Sequence, residues 1–502
     1  MTSIAVGEAE RPFVLTFDVG TSSVRAVLYD AGARSVAGMS AQIAHEMETT
    51  ADGGVFCDAD ALVGRTAAAI EGALAKAEAV GLAGDIAAVA SDTFWHNLIG
   101  VDDGGRAITP VITWADTRNT RATMQLRQQL DEEAIHRRTG CYLHTMYLPA
   151  KLVWFAETEP ETVRRVRHWM SFAEYFHLKL FGVRACSLSM ASGSGLLNLN
   201  GKVWDDELLA ALPVERDQLS PLVDVDTPYV GLWGEYAARW PALARVPWYP
   251  SLGDGAASNL GSGGTNGGRI AVNAGTSTAM RVVLRTEAVQ VPSGLWAYRV
   301  DGRHIVVGGA ESNGGNAWAW LGDRLRIEND DAAMREIAAV PPDGHGLTVL
   351  PFLAGERSPN YNADARASTI GMRLDTAATE IARAWLEAMT YRLVLIHRLL
   401  VRGFPDAQDV IVSGTAFLKN PLWMQIAADA LGVPLRVSDE DEATSRGSAL
   451  IALEQLGAIP SWDALPVSVR DTVHPDMAAH AVYARGIARQ EQYYTLLVPP
   501  RT

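Results

Sequence analysis

Apolar and polar positions alternate between two rhythms along this chain. FVLTFDVG, from Phe13, is an almost unbroken apolar run, as expected of a strand buried on both faces. After Gly20, SSVRAVLYDA alternates, which predicts a second strand behind a tight turn, and RSVAGMSAQIAHEM predicts a third. The Ala-rich stretch from Ala59 to Gly81 switches to helical spacing, with Asp58 or Asp60 as N-cap. DIAAVASDT then returns as a strand. The second half repeats the plan. RIAVNAGTSTAMRVVLR reads as strand, glycine turn, strand, and GRHIVVGGAESNGGNAWAWLGDRL as strand, loop, helix. TAATEIARAWLEAMTYRLVLIHRLLV, NPLWMQIAADALG and RGSALIALEQLG predict helices, and DVIVSGTAF a strand. Strands interleaved with helices in this order indicate an α/β layer architecture.

A chain of 502 residues is too long for one ordinary core and implies two domains. The junction is expected near residue 260, inside GDGAASNLGSGGTNGG, where glycine crowds, giving domains 12–260 and 261–490. Residues 1–11 read as a loose tail, with no secretory n-region or h-region. The net charge of −15, with no basic run, argues against nucleic acid or an anionic membrane as partner. No apolar run approaches the about 18 residues of a membrane span. The three cysteines, Cys57, Cys141 and Cys186, show no metal or disulfide spacing, which fits a reducing, cytoplasmic setting.

One internal repeat stands out. Gly20-Thr21-Ser22 overlays Gly275-Thr276-Ser277, each between two strands. Glycine lets the backbone turn tightly and approach a ligand, and successive N–H groups with two hydroxyls then make an anion cradle. A single copy would read as an ordinary hairpin turn, but two copies can grip the two ends of a polyphosphate. The overlay puts Asp18 of the first copy on Asn273 of the second. Mg²⁺ takes hard oxygen ligands and keeps several waters. Asp18 is therefore a candidate to hold it through water, with a turn-capping role as the alternative.

Together these motifs resemble the FGGY family of carbohydrate kinases. FDVGTSSVRAVLYD is similar to its first phosphate motif, and SDTFWHNLIGVDDGGRAITPVITWADTRN to its sugar-binding region. MYLPAKLVWF, GDGAASNLGSG, NAGTSTAM, ESNGGNAWAWL and LAGERSPNYNADARASTIGM resemble further family segments. The resemblance implies a two-domain actin/hexokinase/Hsp70-like ATPase fold with ribonuclease H-like duplicated lobes and a central cleft. The implied activity is ATP-dependent phosphorylation of a sugar, sugar acid or polyol. It implies Asp254 as general base, with Asp18 and Asp254 towards Mg²⁺. Trp95, His96, Asp116 and Asp254 would meet the acceptor. Gly20, Thr21, Ser22, Gly275, Thr276, Ser277, Gly314, Gly315, Gly414 and Asn420 would meet the nucleotide. Trp95 stands where several members have Met or Gln, and would stack on the sugar or line the wall. Arg118 and Lys151 would bind an anionic group or pair with carboxylates of the protein. Glu356 would organise its loop through Arg357 or Arg366.

Where the family has adjacent glycines, SGTAF places Thr415 and Ala416, which leaves nucleotide preference open. GDGAASNLGSG, SMASGSGLLNLNGKVWDDELL and YNADAR lean towards the gluconokinase-like branch and so towards D-gluconate, with xylulose, another pentulose or a polyol as alternatives. A homodimer is the assembly the resemblance suggests. An Hsp70- or actin-type switch would lack the hydroxyl-binding strip SDTFWHN…WADTR, whereas a turnover-deficient homologue is left open by SGTAF.

Overall fold

A computed structural model describes residues 3–327 and 331–501. Two sheets dominate it, one from each half of the chain. The first runs through β1 (Phe13–Val19), β2 (Ser23–Tyr29), β3 (Ser35–Ala44), β4 (Ile86–Thr93) and β5 (Leu252–Gly253), in the order β3-β2-β1-β4-β5. The second runs through β6 (Arg269–Ala274), β7 (Thr278–Arg285), β8 (His304–Glu311), β9 (Asp409–Ser413) and β10 (Leu435–Ser438), in the order β8-β7-β6-β9-β10. The duplication inferred from two short turns thus extends over a five-strand pattern. In each copy a meander of antiparallel strands is joined to parallel neighbours. The central strands are buried on both faces, as their unbroken apolar runs require.

The N-terminal segment departs from the loose tail expected of it. Ser3–Ile4 pairs in parallel with Ser35–Val36 and extends the first sheet. Its Ile4 is buried, and that apolar anchor, together with the free edge of β3, draws the segment in.

α1 (Ala59–Ala79) packs on the first sheet, capped by Asp58, whose carboxylate accepts from Ala61 N at 2.7 Å. The glycine-crowded segment around the expected junction opens with a helix, α2 (Asp254–Gly261). Its apolar residues Ala256, Ala257 and Leu260 are fully buried, and this burial outweighs the low helix propensity of glycine. α3 (Gly315–Leu325), α4 (Ala378–Gly403) and α5 (Pro421–Leu431) surround the second sheet. α6 (Ala443–Gln455) comes from the second half but packs against α2, β1 and β4 of the first. The α2–α6 crossing is so close that a Cβ at Gly447 would lie 1.9 Å from the Ala257 carbonyl oxygen. One at Gly261 would lie 1.7 Å from that of Ala443. Only glycine permits this approach. Arg446 ties the same junction, donating to the carbonyls of Ala33 (3.2 Å) and Gly261 (2.8 Å). Among the described residues, no helix is long and apolar enough to cross a membrane.

Candidate active site

The two glycine turns face one cavity of ≈ 390 Å³ between the sheets, lined by Thr21 from the first and Gly275, Thr276 and Ser277 from the second. Asp254, Trp95 and His96 line it as well, so residues more than two hundred positions apart meet here. A second cavity of ≈ 350 Å³ shares Gly275 and Thr276 with the first and is bounded by Gly315, Thr415, Ala416 and Asn420. The second hairpin is thus the common wall of the two chambers.

The hairpins are built differently. Val19 pairs with Val24 across the first, leaving four residues in the turn. Ala274 pairs with Thr278 across the second, leaving three. Gly20 N donates to Ser23 O (3.0 Å), and the Ser22 carbonyl accepts from His45 N (2.9 Å). In the second turn Gly275 N donates to Ser277 O (2.9 Å). Its carbonyls are taken up by the start of α3: Gly315 N donates to Gly275 O (2.9 Å) and Asn316 N to Thr276 O (3.1 Å). Gly314 is the N-cap of that helix, so the Gly314–Gly315 pair closes on the hairpin backbone itself.

Behind the first turn lies a carboxylate the sequence reading missed. Asp18 on β1 is the register partner of Asp92 on β4. Burial raises the Asp18 carboxyl to about 6, with Asp254 adding to the effect and Arg25 opposing it. Burial, with Asp18 next, pushes Asp92 well above the usual carboxylate range. Ser448 Oγ of α6 donates to Asp92 Oδ2 (2.7 Å), while Asp92 Oδ1 has no donor. Behind the second turn the corresponding pair is neutral: Asn273 Nδ2 donates to its register partner's Ser413 Oγ (3.2 Å). Nothing in DIAAVASDT marks Asp92 as special, because its importance arises only from the β1–β4 register.

Asp254 is the first residue of α2, one residue past the end of β5. Its Oδ1 accepts from its neighbour's backbone, Gly255 N, at 2.7 Å. Burial raises the carboxyl, while the Gly255 N–H and the Arg281 guanidinium hold it back. Trp95 forms a fixed wall: its Nε1 donates to Ser189 O (3.0 Å), and a Cβ at Gly253 would fall 1.8 Å from the indole. His96 has φ 61°, a left-handed conformation rare for a non-glycine residue. Its Nδ1 lies 2.5 Å from Gly193 O, and because a carbonyl can only accept, Nδ1 carries the proton. Burial lowers this imidazole to about 3, so it is neutral and its Nε2 is an acceptor.

Lys151 lies fully buried beneath His96 and donates to the carbonyls of His96 and Met146, the latter at 2.8 Å. Of its two expected roles it takes neither, serving instead to hold the backbone. Asp116 is committed elsewhere. Its carboxylate accepts from Val55 N (3.0 Å) and pairs with Arg118 (2.7 Å), and it is Trp114 that reaches the cavity from this segment. Arg118 thus takes the carboxylate-pairing alternative. Glu356 does not engage Arg357 or Arg366. It pairs with Arg392 of α4 and accepts from Tyr494 Oη (2.6 Å) and Asn360 Nδ2 (2.9 Å). Its side chain points into the helix layer, whereas Arg357 points into the cavity.

On the second chamber, Gly414 has φ 97° and caps the short helix Thr415–Leu418, whose Thr415 and Ala416 line the wall. Asn420 Oδ1 accepts from Trp423 N (3.0 Å), and its buried Nδ2 has no acceptor. Residues that sequence reasoning did not single out for the first chamber are Trp114, Arg281, Trp296, Tyr298 and, as a ligand-facing group, Arg357. Trp114 and Arg357 lie in quoted motifs without standing out there, and no motif carries Arg281, Trp296 or Tyr298; the fold alone brings all five together.

Comparison with known proteins yields one consistent result. Residues 13–261 match the N-terminal domain of the FGGY family of carbohydrate kinases, and residues 270–455 match its C-terminal domain. A gluconokinase from Bacillus subtilis is 28% identical over 388 residues, covering 75% of this chain and 76% of that protein. A xylulose kinase from Lactococcus lactis is 24% identical over 490 residues, covering 96% of this chain and 95% of that one. Among solved structures, a gluconate kinase from Lactobacillus acidophilus superposes with a TM-score of 0.88 at 24% identity, covering 97% of this chain and 98% of that chain.

Proposed function

This chain belongs to the FGGY family of carbohydrate kinases, on the actin/hexokinase-like ATPase fold, and from that premise we propose that it transfers the γ-phosphoryl group of ATP to a hydroxyl of D-gluconate with Asp254 as general base. One observation carries the proposal: Asp254 shares a cavity with both glycine hairpins, so a base, an acceptor site and two phosphate cradles converge on one volume. The gluconokinase relatives and the wording of GDGAASNLGSG and YNADAR support gluconate over other acceptors.

In this reading the acceptor lies against Trp95, with a hydroxyl donating to His96 Nε2. The Asp254 carboxylate takes the proton of the reacting hydroxyl as its oxygen bonds to the γ-phosphorus. The bond from the γ-phosphorus to the bridging oxygen breaks, and ADP leaves with the electron pair. General-base positioning of this kind contributes about 10²–10⁴-fold. The rest comes from alignment and charge neutralisation. The nucleotide runs from the shared hairpin wall into the chamber bounded by Gly315, Thr415, Ala416 and Asn420.

Mg²⁺ fits the residues present. Asp18 and Asp92 set hard oxygens side by side in a buried region, Asp92 Oδ1 lacks a donor among the described residues, and burial, with Asp254 adding to it, raises the Asp18 carboxyl. Asp18 would hold the ion, which when bound neutralises phosphate charge. The two hairpins sit on different sheets, so closure about the cavity on ligand binding is expected, and it would be seen as compaction in solution scattering.

A coupled ADP-release assay with Mg-ATP over D-gluconate, pentuloses, glycerol and tetritols tests the proposal. D-Gluconate should support turnover, and Asp254→Asn should reduce it about 10²–10⁴-fold. Full turnover in Asp254→Asn would remove the base assignment. Stimulation by a pentulose or glycerol and not by gluconate would remove the substrate.

A further inference from the structure

The cavity beside Asp254 contains two guanidiniums with no ion partner. Arg281 stands on β7, four residues past the second hairpin, and Arg357 stands in the LAGERSP loop. Both line the cavity. Among the described residues neither forms a salt bridge, and the Nε of each is buried without an acceptor. Arg357 is oriented by one bond, from Nη2 to the Glu311 carbonyl (2.8 Å). Among the described residues the Arg281 side chain makes no hydrogen bond, and its guanidinium lies 5.7 Å from the centroid of the Trp296 ring. Its Nη2 approaches the start of α2, 3.3 Å from where a Cβ on Gly255 would be. Glu311 is the remaining acid near Arg357. It is buried, pushed well above the usual carboxylate range by that burial, and outside ion-pair distance.

A buried cation without a partner is costly. Most other arginines in the interior of this protein are paired: Arg383 with Glu387, Arg392 with Glu356 and Arg446 with Glu440. Arg299, likewise without an ion pair among the described residues, is instead taken up by backbone carbonyls such as those of Leu199 and Glu287, whereas Arg281 and Arg357 line the acceptor chamber, where Asp254 is the one carboxylate in the wall. Guanidiniums present paired N–H donors that match a carboxylate. Both guanidiniums line the same cavity of ≈ 390 Å³, so one ligand there can meet both. His96 adds the complementary restriction. Its Nε2 can only accept, so it takes a hydroxyl and not an anion at that end of the cavity.

We propose that Arg281 and Arg357 together receive an anionic group of the acceptor, so that the site prefers a sugar acid over a neutral sugar or polyol of the same length. The proposal rests on the kinase reading above and adds the residues that decide its substrate class. The same guanidiniums could serve the transferred phosphoryl group, an anion common to every acceptor, and the test separates the two sources.

The measurement is the ratio of kcat/KM for D-gluconate to that for D-glucitol, in the intact protein and in Arg281→Met, Arg357→Met and Arg281→Lys. The intact protein should favour gluconate. Each Met variant should lower the ratio by about 10- to 100-fold, the effect of losing a charged hydrogen-bonding partner. Arg281→Lys, which keeps the charge but not the fork, should fall between them. Calorimetric titration with D-gluconate in the absence of nucleotide should show the same order of affinities, and circular dichroism separates a lost contact from a lost fold. Three results overturn the proposal. The intact protein could show no preference for the acid. The ratio could stay constant while kcat falls for every acceptor, which would assign the arginines to the phosphoryl group. Gluconate binding could be unchanged in correctly folded Met variants. If no acceptor releases ADP but gluconate binds and binding needs the arginines, the kinase reading fails while this one stands.

Discussion

The two Gly-Thr-Ser hairpins show how one local sequence can serve two different electrostatic tasks. Each joins antiparallel strands at the centre of its sheet, and each reaches the same cavity. The first is backed by acids: Asp18 with its register partner Asp92, and Asp254 beyond. The second is backed by Asn273 and Ser413, which are neutral and satisfy one another. Two anionic backings would repel a polyphosphate, and two neutral ones would leave no ligand for a cation. A like pair of carboxylates costs energy unless a proton or a cation sits between them. Under the proposed function, this asymmetry would put the cation at the first hairpin and the bare phosphates at the second.

Removing the asymmetry should have the largest effect. Asp18→Asn gives the first hairpin the chemistry of the second, and kcat should fall by about 10²–10³-fold, as when one charge-stabilising group is lost. Activity should also become far less responsive to Mg²⁺ concentration. Steady-state kinetics across a Mg²⁺ series checks both, and an unchanged Mg²⁺ response would break the assignment.

The junction between the halves comes next. Gly447→Ala places a methyl group against the Ala257 carbonyl, so it should destabilise the fold by about 1–3 kcal/mol. Thermal denaturation reads the change. A Tm equal to that of the parent would mean that the α2–α6 crossing can open without cost.

The reciprocal exchange, Asn273→Asp, adds a carboxylate where phosphates are to lie. The KM for ATP should rise about tenfold, which corresponds to ~1.4 kcal/mol. A lower KM would show that the second hairpin also welcomes a cation.

A separate effect, on stability against pH, concerns Lys151 of the first half. Burial lowers the Lys151 ammonium from an ordinary 10.5 to about 7. The unfolded chain therefore keeps that proton across a range where the folded chain releases it. Stability from this group is full above the ordinary value and is lost as pH falls towards 7. Melting temperatures of the parent and of Lys151→Met should diverge as pH drops through this window, with the parent losing ground. Parallel curves would remove Lys151 as a buried titrating group.

Much of this organisation was legible in one dimension. The buried strands announce themselves as apolar runs, α1 carries its Asp58 cap, and the second hairpin was placed by its likeness to the first. The same likeness concealed a difference. Gly20-Thr21-Ser22 and Gly275-Thr276-Ser277 read alike, but the strand registers leave four residues in one turn and three in the other. Glycine crowding near residue 260 suggested a domain junction, and in the fold those glycines permit a helix to press against Trp95 and α6. Asp116 looked available by motif, yet Arg118 two residues later claims it.

By itself the sequence determined the alternation of strands and helices, the two Gly-Thr-Ser turns and the candidate base, since each depends on near neighbours along the chain. Only the tertiary structure decided that Asp92 stands beside Asp18, that α6 of the second half locks onto α2 of the first, and that Arg281 and Arg357 line one cavity with no ion pair among the described residues. Those are contacts between residues tens to hundreds of positions apart. Strand register and helix packing set them, and no local periodicity encodes either one.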